Sequence, residues 1–343
     1  MRILHLTDRR TARGGAHHHV AGVVESQVAE GLEVHLAAGD TVAALDAREA
    51  VAIDLQPLLD QVRPEIVHVH TVVNPVALEQ AADAGAVITV QDHRYFCPGR
   101  GKWTRSGDVC RDAMSPSVCA SCFDERAYFD DVLAVTARRL NALRRMRAVV
   151  VLSEYMKKEL VPAGLDPARL HVIPPFVHGL DLEAAPDGPP CVLFVGRLVE
   201  HKGVRDALAA WRQSELDLPL VMAGTGPLRD EMAAAGVQVL GWLDRPALSR
   251  AYARARALLM PSRWQEPFGI AGLEAAAMGV PVVAWESGGI CEWHPGPLGA
   301  WGDVQWLAEN LGEAVRGRAT TPRVLTREAA MARLAAVYRG LSG

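Results

Sequence analysis

The stretch CVLFVGRLVEHKG, Cys191–Gly203, decides the fold. Its first five residues form an unbroken apolar run rich in β-branched and aromatic side chains, as in a strand buried on both faces. Gly196 ends the run, and a polar turn leads toward a helix expected to begin near Lys202. Strands buried on both faces belong to parallel sheets covered by helices. Downstream the pattern repeats in PLVMAG (Pro219–Gly224), VQVLGW (Val237–Trp242), ALLMPS (Ala257–Ser262) and VPVVAW (Val280–Trp285), with helical segments between them. Upstream it is carried by RILHLT (Arg2–Thr7), EVHLAAG (Glu33–Gly39), EIVHVH (Glu65–His70), AVITVQDH (Ala86–His93) and AVVVLSEYMKKEL (Ala148–Leu160). The proline-rich stretch HVIPPFVHGLDLEAAPDGPP, His171–Pro190, has no sustained periodicity and reads as a linker. The expectation is an α/β chain of two doubly wound, Rossmann-like domains facing each other across a cleft. The first takes residues 1–176, the second 177–325, and a last helix in 326–343 packs back on the first.

Composition narrows the function. The chain has 343 residues, enough for two domains, and half of them are hydrophobic. A net charge of −4 leaves no basic surplus to neutralise a phosphate backbone, which argues against a nucleic-acid partner. Only four of the 36 basic residues are lysines, so Lys202 at a glycine turn stands out. ILHLT after Met1-Arg2 is too short for the apolar region of a signal peptide, and no run approaches 18 apolar residues. The expected place is the cytoplasm, with no transmembrane segment and with peripheral membrane contact left open. There the six cysteines stay out of structural disulfides.

Ligands of open parallel sheets bind beyond the carboxyl ends of the strands. Gly14-Gly15, His93 and Ser153 fall at such ends in the first half. In the second half Arg197 and Lys202 lie five residues apart across the Gly196 turn. Two cations there suit a diphosphate, whose departure as a leaving group they would stabilise; solvated surface charges are the other reading. The segment PSRWQEPFGIAGLEAAAMGVPVVA, Pro261–Ala284, has seven residues between Glu266 and Glu274. Gly269 sits where the chain turns into a helix over about 270–278, so the amides of Gly269, Ile270 and Ala271 face an anion with the helix dipole aiding. Glu274, one turn in, can accept two hydrogen bonds from a vicinal diol such as ribose. Glu266 on the preceding loop can reach hydroxyls of a transferred sugar. For either glutamate the plain alternative is a surface charge or a helix stabiliser.

These residues resemble the motifs of the family-4 (group 1) retaining glycosyltransferases of the GT-B fold, over nearly the whole chain and most sharply from Phe194 to Trp293. FVGRLVEHKG is similar to their phosphate-binding strand and turn, and AGTGP (Ala223–Pro227), with Gly224 and Gly226, to a second glycine loop near the nucleotide. EPFGIAGLE, with Phe268, Gly269 and Ile270, is similar to the spaced-glutamate signature, and SGGICEW (Ser287–Trp293) to the loop closing the donor pocket. The resemblance implies transfer of a hexose-type sugar from a nucleoside-diphosphate sugar, with UDP, GDP and other donors open and UDP the first guess; the short chain with its insert hints at a small-molecule or lipid-linked acceptor. It implies retention of configuration and no catalytic metal or other cofactor. Arg197 and Lys202 then hold the diphosphate, Glu274 the ribose and Glu266 the donor sugar.

The first half resembles the family in RGGAHHHVAGVV (Arg13–Val24), PEIVHVH (Pro64–His70) and QDHRYF (Gln91–Phe96). Gly14 and Gly15 match a glycine pair whose amides approach donor and acceptor. His93 matches a histidine near the reacting sugar, where a neutral imidazole can bond a hydroxyl, unless it serves only structure. Arg9, Arg10 and Arg13 crowd the glycine loop and suit either an anionic acceptor or solvent. His17-His18-His19 reads as a helix start rather than a metal cluster, because consecutive helical residues fan to different faces. An inactive nucleotide-sugar-binding subunit would usually have lost Lys202, Glu266 or Glu274. A GT-B-fold epimerase or phosphorylase is the remaining alternative, and no lysine has a context suited to pyridoxal.

One insert stands apart. CPGRGKWTRSGDVCRDAMSPSVCASC, residues 97–122, holds Cys97, Cys110, Cys119 and Cys122 among Gly, Ser and Pro. Four cysteines ending in Cys-x-x-Cys suit a tetrahedral thiolate site. The intervals of 12 and 8 residues are irregular for a standard zinc ribbon, and structural zinc, an iron–sulfur cluster and free or redox-paired thiols all stay open.

Overall fold

Every strand marked by the sequence pattern is present, with its ends shifted by at most three residues. The computed structural model describes residues 1–10, 14–317, 322 and 325–341. In the first half lie β1 (Arg2–Leu6), β2 (Glu33–Ala37), β3 (Ile66–Val69), β4 (Val87–Val90), β5 (Ala148–Val151) and β6 (Leu170–Val172). They pair in parallel in the order β2-β1-β3-β4-β5-β6. The second half holds β7 (Cys191–Val195), β8 (Leu220–Ala223), β9 (Gln238–Gly241), β10 (Ala255–Met260) and β11 (Val282–Ala284). They too are parallel, ordered β11-β10-β7-β8-β9. Strand order reverses between β1 and β3 in one sheet and between β7 and β10 in the other. Such switch points open crevices for ligands.

The chain divides into two units, Met1–Phe176 with Leu325–Gly343, and Val177–Val324. In the second, Val192, Phe194, Leu259 and Trp285 pack with Val204 and Ala207 of the helix Val204–Gln213 and with Leu307 and Leu311 of the helix Val304–Ala314. Each large side chain so buried stabilises the fold by roughly 1.5–3 kcal/mol before chain entropy is set against it. In the first unit, Met331, Leu334, Val337 and Tyr338 of the helix Arg327–Leu341 cover Ile3, Ile66, Val87 and Val150 on one face of the sheet.

That face also holds buried histidines. His5 on β1 pairs in register with His68 on β3, and His70 follows two residues on. Polar groups buried this deeply need partners, and they form a chain of hydrogen bonds. His68 Nε2 meets Thr89 Oγ1 at 2.7 Å and His68 Nδ1 meets the Tyr338 hydroxyl at 2.6 Å. Gln27 Nε2 donates to that hydroxyl at 3.2 Å, while Gln27 Oε1 meets His5 Nε2 at 2.7 Å. His5 Nδ1 lies 2.8 Å from His70 Nε2. The three rings come close enough for a metal, but both ring nitrogens of His5 and of His68 are engaged in these bonds. Burial pushes the His5 imidazole down to about 4 and His68 and His70 well below their ordinary value.

Two expectations are corrected. The stretch after Leu170 is not all linker: Leu170–Val172 forms β6 against β5, and the Ile173 amide extends the pairing by donating to Val151 O at 2.9 Å. The second correction concerns the turn after β7. Glu200–Lys202 is a single 3₁₀ turn, and the α-helix begins only at Val204. Gly203 separates them at φ 70°, where a Cβ would lie 1.7 Å from the Pro261 carbonyl oxygen. Only glycine admits both that conformation and that approach. Among the described residues no helix is long and apolar enough to cross a membrane.

Candidate functional site

The switch point of the second sheet gathers the turn after β7 and the loop after β10. The Gly196 amide donates to Ala223 O at 3.0 Å and the Leu198 amide to Thr225 O at 2.8 Å. The Gly196 turn and the Gly224–Gly226 loop therefore lie side by side. Lys202, placed by the 3₁₀ turn, brings its Nζ to 2.7 Å from Glu266 Oε1 and 4.3 Å from the centre of the Trp264 ring. Ser262 Oγ donates to the same carboxylate oxygen at 2.6 Å. Glu266 is 4% exposed. Burial alone would raise its carboxyl, but Lys202 and Ser262 outweigh that and hold it below the usual carboxylate range. Burial lowers the Lys202 ammonium against the pull of Glu266, and the Arg197 charge lowers it further. Arg197 itself is exposed, with Nη2 at 3.0 Å from His201 Nε2.

The loop Ser287–Trp293 is stitched to this group. Gly288 N donates to Gln265 Oε1 at 3.0 Å and Gly289 N to Glu266 O at 2.8 Å. Phe268 is buried and its carbonyl accepts from Trp293 Nε1 at 2.6 Å. Gly269 caps the helix Ile270–Ala277 in the left-handed conformation. Glu274, one turn in, belongs to a second hydrogen-bonded group. Arg245 Nη1 holds its Oε1 at 2.7 Å, and the Tyr252 hydroxyl approaches Oε2 at 3.2 Å. Burial pushes the Glu274 carboxyl up, against Arg245 and Tyr252. The structure thus joins Lys202 directly to Glu266 and sets Arg197 near them, while Glu274 pairs with Arg245. Sequence reasoning named neither Arg245 nor Tyr252. They lie 29 and 22 residues from Glu274 with no motif linking them. Ser262 and Trp264, inside the quoted PSRWQEP, were within reach of it.

At the switch point of the first sheet, Asp8 follows β1. His17 Nε2 meets Asp8 Oδ1 at 2.8 Å, and Thr71 Oγ1 donates to that oxygen at 2.5 Å. Burial would raise Asp8, but His17, Thr71 and Arg9 hold it well below the ordinary carboxylate range. The His17–Asp8 pair is absent from the reading of the sequence; an acid closing the first strand of a switch point was its signal. Gly14 and Gly15 open the helix Gly15–Ala29 that carries His17. His19, two residues on, packs its ring 6.3 Å from Phe176 instead. Arg9 Nε lies 3.2 Å from Asp8 and Arg10 Nε 3.6 Å from Asp40, while Arg13 falls outside the described residues. His93, just beyond β4, is 2% exposed with Nε2 at 3.0 Å from the Tyr155 hydroxyl. Ser153 caps the helix Glu154–Leu160 that carries Tyr155, accepting from Met156 N at 3.1 Å. Gln91 beside His93 is buried, and among the described residues neither of its amide atoms has a hydrogen-bond partner.

The four cysteines of the insert line a single open pocket of about 430 Å³, and none is in a disulfide.

Comparison with known proteins places these features. Residues 189–316 match the domain described as glycosyl transferases group 1, and residues 49–178 match glycosyltransferase family 4. A stretch of 207 residues, 52% of the chain, is 30% identical to the 2-deoxystreptamine glucosyltransferase of Streptomyces kanamyceticus, covering 53% of that protein. Another of 116 residues, 31% of the chain, is 38% identical to a glycogen synthase of Mycobacterium tuberculosis, covering 28% of it. The chain therefore spans about half or less of the length of these curated relatives. Two solved structures align over 100% of the chain. Anabaena HepE in complex with UDP-glucose has a TM-score of 0.64 at 17% identity, over 98% of that chain. The sucrose-phosphate synthase of Thermosynechococcus elongatus has a TM-score of 0.67 at 16% identity, over 96% of its chain. At such identities the likeness is one of fold. With both domain matches and that fold, the chain belongs to the family-4, group 1 glycosyltransferases of the GT-B fold.

Proposed function

We propose that the chain is a retaining glycosyltransferase that moves a hexose-type sugar from a nucleoside diphosphate, UDP first among them, to a hydroxyl of a small or lipid-linked acceptor. One observation carries the reading: the buried Lys202–Glu266 pair at the β7/β10 switch point, with Arg197 on the same turn. A parallel-sheet crevice holding two cations is suited to a diphosphate. The bond from the anomeric carbon to the phosphate oxygen breaks, and the charge gathered on the departing diphosphate is stabilised by Lys202 and Arg197. Glu266, held ionised, offers acceptor oxygens to the donor sugar hydroxyls, and Glu274 offers the same to the ribose. The new bond forms on the face from which the diphosphate leaves, and a diphosphate oxygen takes the acceptor proton. His93, buried with its ring bonded to Tyr155, positions a sugar hydroxyl. The donor assignment is supported by the Anabaena structure, solved with UDP-glucose.

The test is a thermal-shift screen of the full chain with UDP, GDP, ADP and their sugars, followed by turnover of the best donor. A ligand at a hundred times its Kd stabilises the native state by about 2.7 kcal/mol, a readable rise in Tm. UDP and a UDP-sugar are expected to give it. Failure of every nucleotide to raise Tm overturns the reading, and a product of inverted anomeric configuration overturns retention.

A further inference from the structure

We propose that Cys97, Cys110, Cys119 and Cys122 bind one structural zinc ion as a tetrathiolate. All four side chains line one pocket of about 430 Å³ and none is bridged to another. Cys97 begins a tight turn in which Gly101 and Lys102 both take positive φ, 73° and 62°. That curl aims the amides of Gly99, Gly101 and Lys102 at the Cys97 sulfur, and the Ser115 amide points at the Cys119 sulfur. Amide donors grouped around a sulfur fix the orientation of a metal ligand from outside the coordination shell. Gly99 rests against the Cys-x-x-Cys end of the insert: a Cβ there would lie 3.5 Å from Cys122 Cβ and 3.8 Å from its Sγ.

The insert also lacks another means of holding its shape. Between residues 97 and 125 the only buried large apolar side chain is Trp103. Regular structure amounts to the short helix Pro116–Cys119, one 3₁₀ turn over Ala120–Cys122 and a single bridge between Trp103 and Val109. A segment with so little core needs a staple. A set of four sulfurs with no carboxylate or imidazole selects a soft tetrahedral ion. No three of the sulfurs lie within 4.8 Å of one another, whereas a Zn–S bond of about 2.3 Å sets tetrahedral edges of about 3.8 Å. Binding therefore draws the ring closed by side-chain rotation. Cys110, whose Sγ leans to 3.8 Å from the Asp112 carbonyl, turns inward.

The staple would act on the site beside it. The Cys97 amide donates to the His93 carbonyl at 2.8 Å. Lys102 Nζ pairs with Glu159 at 2.9 Å on the helix whose Tyr155 bonds the His93 ring. An ion held at Cys97 thus fixes the turn on which His93 stands.

The experiment is elemental analysis of the full, untagged chain purified without chelator, followed by cobalt substitution. About one zinc per chain is expected, with cobalt giving the ligand-field absorption of a tetrahedral tetrathiolate. Zinc below roughly 0.2 per chain, iron in its place, or an octahedral cobalt spectrum overturns the proposal. Cys122→Ser is expected to lose most of the zinc. Should that variant fail to fold, a thiol-specific mercurial applied to the wild type still decides, because zinc must be released in step with four titrated thiols. Release independent of those thiols overturns the site.

Discussion

Replacing Lys202 by methionine leaves Glu266 buried without its cation. Breaking a buried ion pair from one side costs about 3–5 kcal/mol, because the surviving charge keeps its desolvation penalty and loses its compensation. The Lys202 side chain retains 19% of its exposure and Ser262 still bonds the carboxylate, so the low end, about 3 kcal/mol, is expected here. With Lys202 gone, burial dominates the Glu266 carboxyl and raises it above its unfolded value. The penalty therefore grows as pH rises and shrinks toward pH 5, where the carboxyl takes up a proton. Adding Glu266→Gln removes the charge altogether and should bring stability back to within about 1 kcal/mol of wild type. Seven of the eight tryptophans lie within Val177–Val324, so fluorescence in urea reports this unit. Unfolding of the wild type, Lys202→Met and the double variant would be followed at pH 8 and pH 5. UDP binding should be lost in both variants, although only the single one is unstable. If the double variant is as unstable as the single one, the pair is not the source of the cost and the reasoning fails.

Two further outcomes follow from other parts of the molecule. His5, held down to about 4 by burial, is neutral in the folded state and near 6.5 when unfolded, so acid favours the unfolded chain from about pH 6.5 downward. His5 alone removes up to about 3 kcal/mol by pH 4, and His68 and His70 act in the same direction. Urea midpoints by circular dichroism should fall steadily from pH 7 to pH 5, before most carboxylates titrate; a level midpoint contradicts the buried-histidine argument. Gly203→Ala would place its Cβ 1.7 Å from the Pro261 oxygen at a left-handed backbone. A loss above roughly 3 kcal/mol and of UDP binding is expected by thermal melting, and an unchanged Tm would show that the β7 turn and the β10 loop do not meet as described.

The alternation of strands was legible because buried parallel strands are continuous apolar runs, and Cys191–Val195 or Ala148–Val151 can hardly be read otherwise. β6 was hidden because it is three residues long and Pro174 and Pro175 follow one residue beyond it. The start of the helix after Lys202 was misplaced for a tertiary reason. Gly203 is fixed by the Pro261 carbonyl, which lies far away in sequence. The same holds for the sites. Lys202 and Glu266 could be named from local pattern, yet their direct bond could not. The partners of Glu274 come from the helix Arg245–Arg254, 29 and 22 residues away with no shared motif, and Asp8 gains Thr71 only because strand order sets the end of β3 beside that of β1.

The hydrogen bonds that join Tyr338 with His68 and Gln27 have a consequence for how the chain emerges from the ribosome. Residues 1–176 leave the exit tunnel while the helix that seals their sheet is still uncoded into protein, because Val177–Val324 must be made first. At 5–20 residues per second that delay is roughly 7–30 s. Throughout it the nascent amino-terminal half exposes the apolar sheet face of Ile3, Ile66, Val87 and Val150 to water.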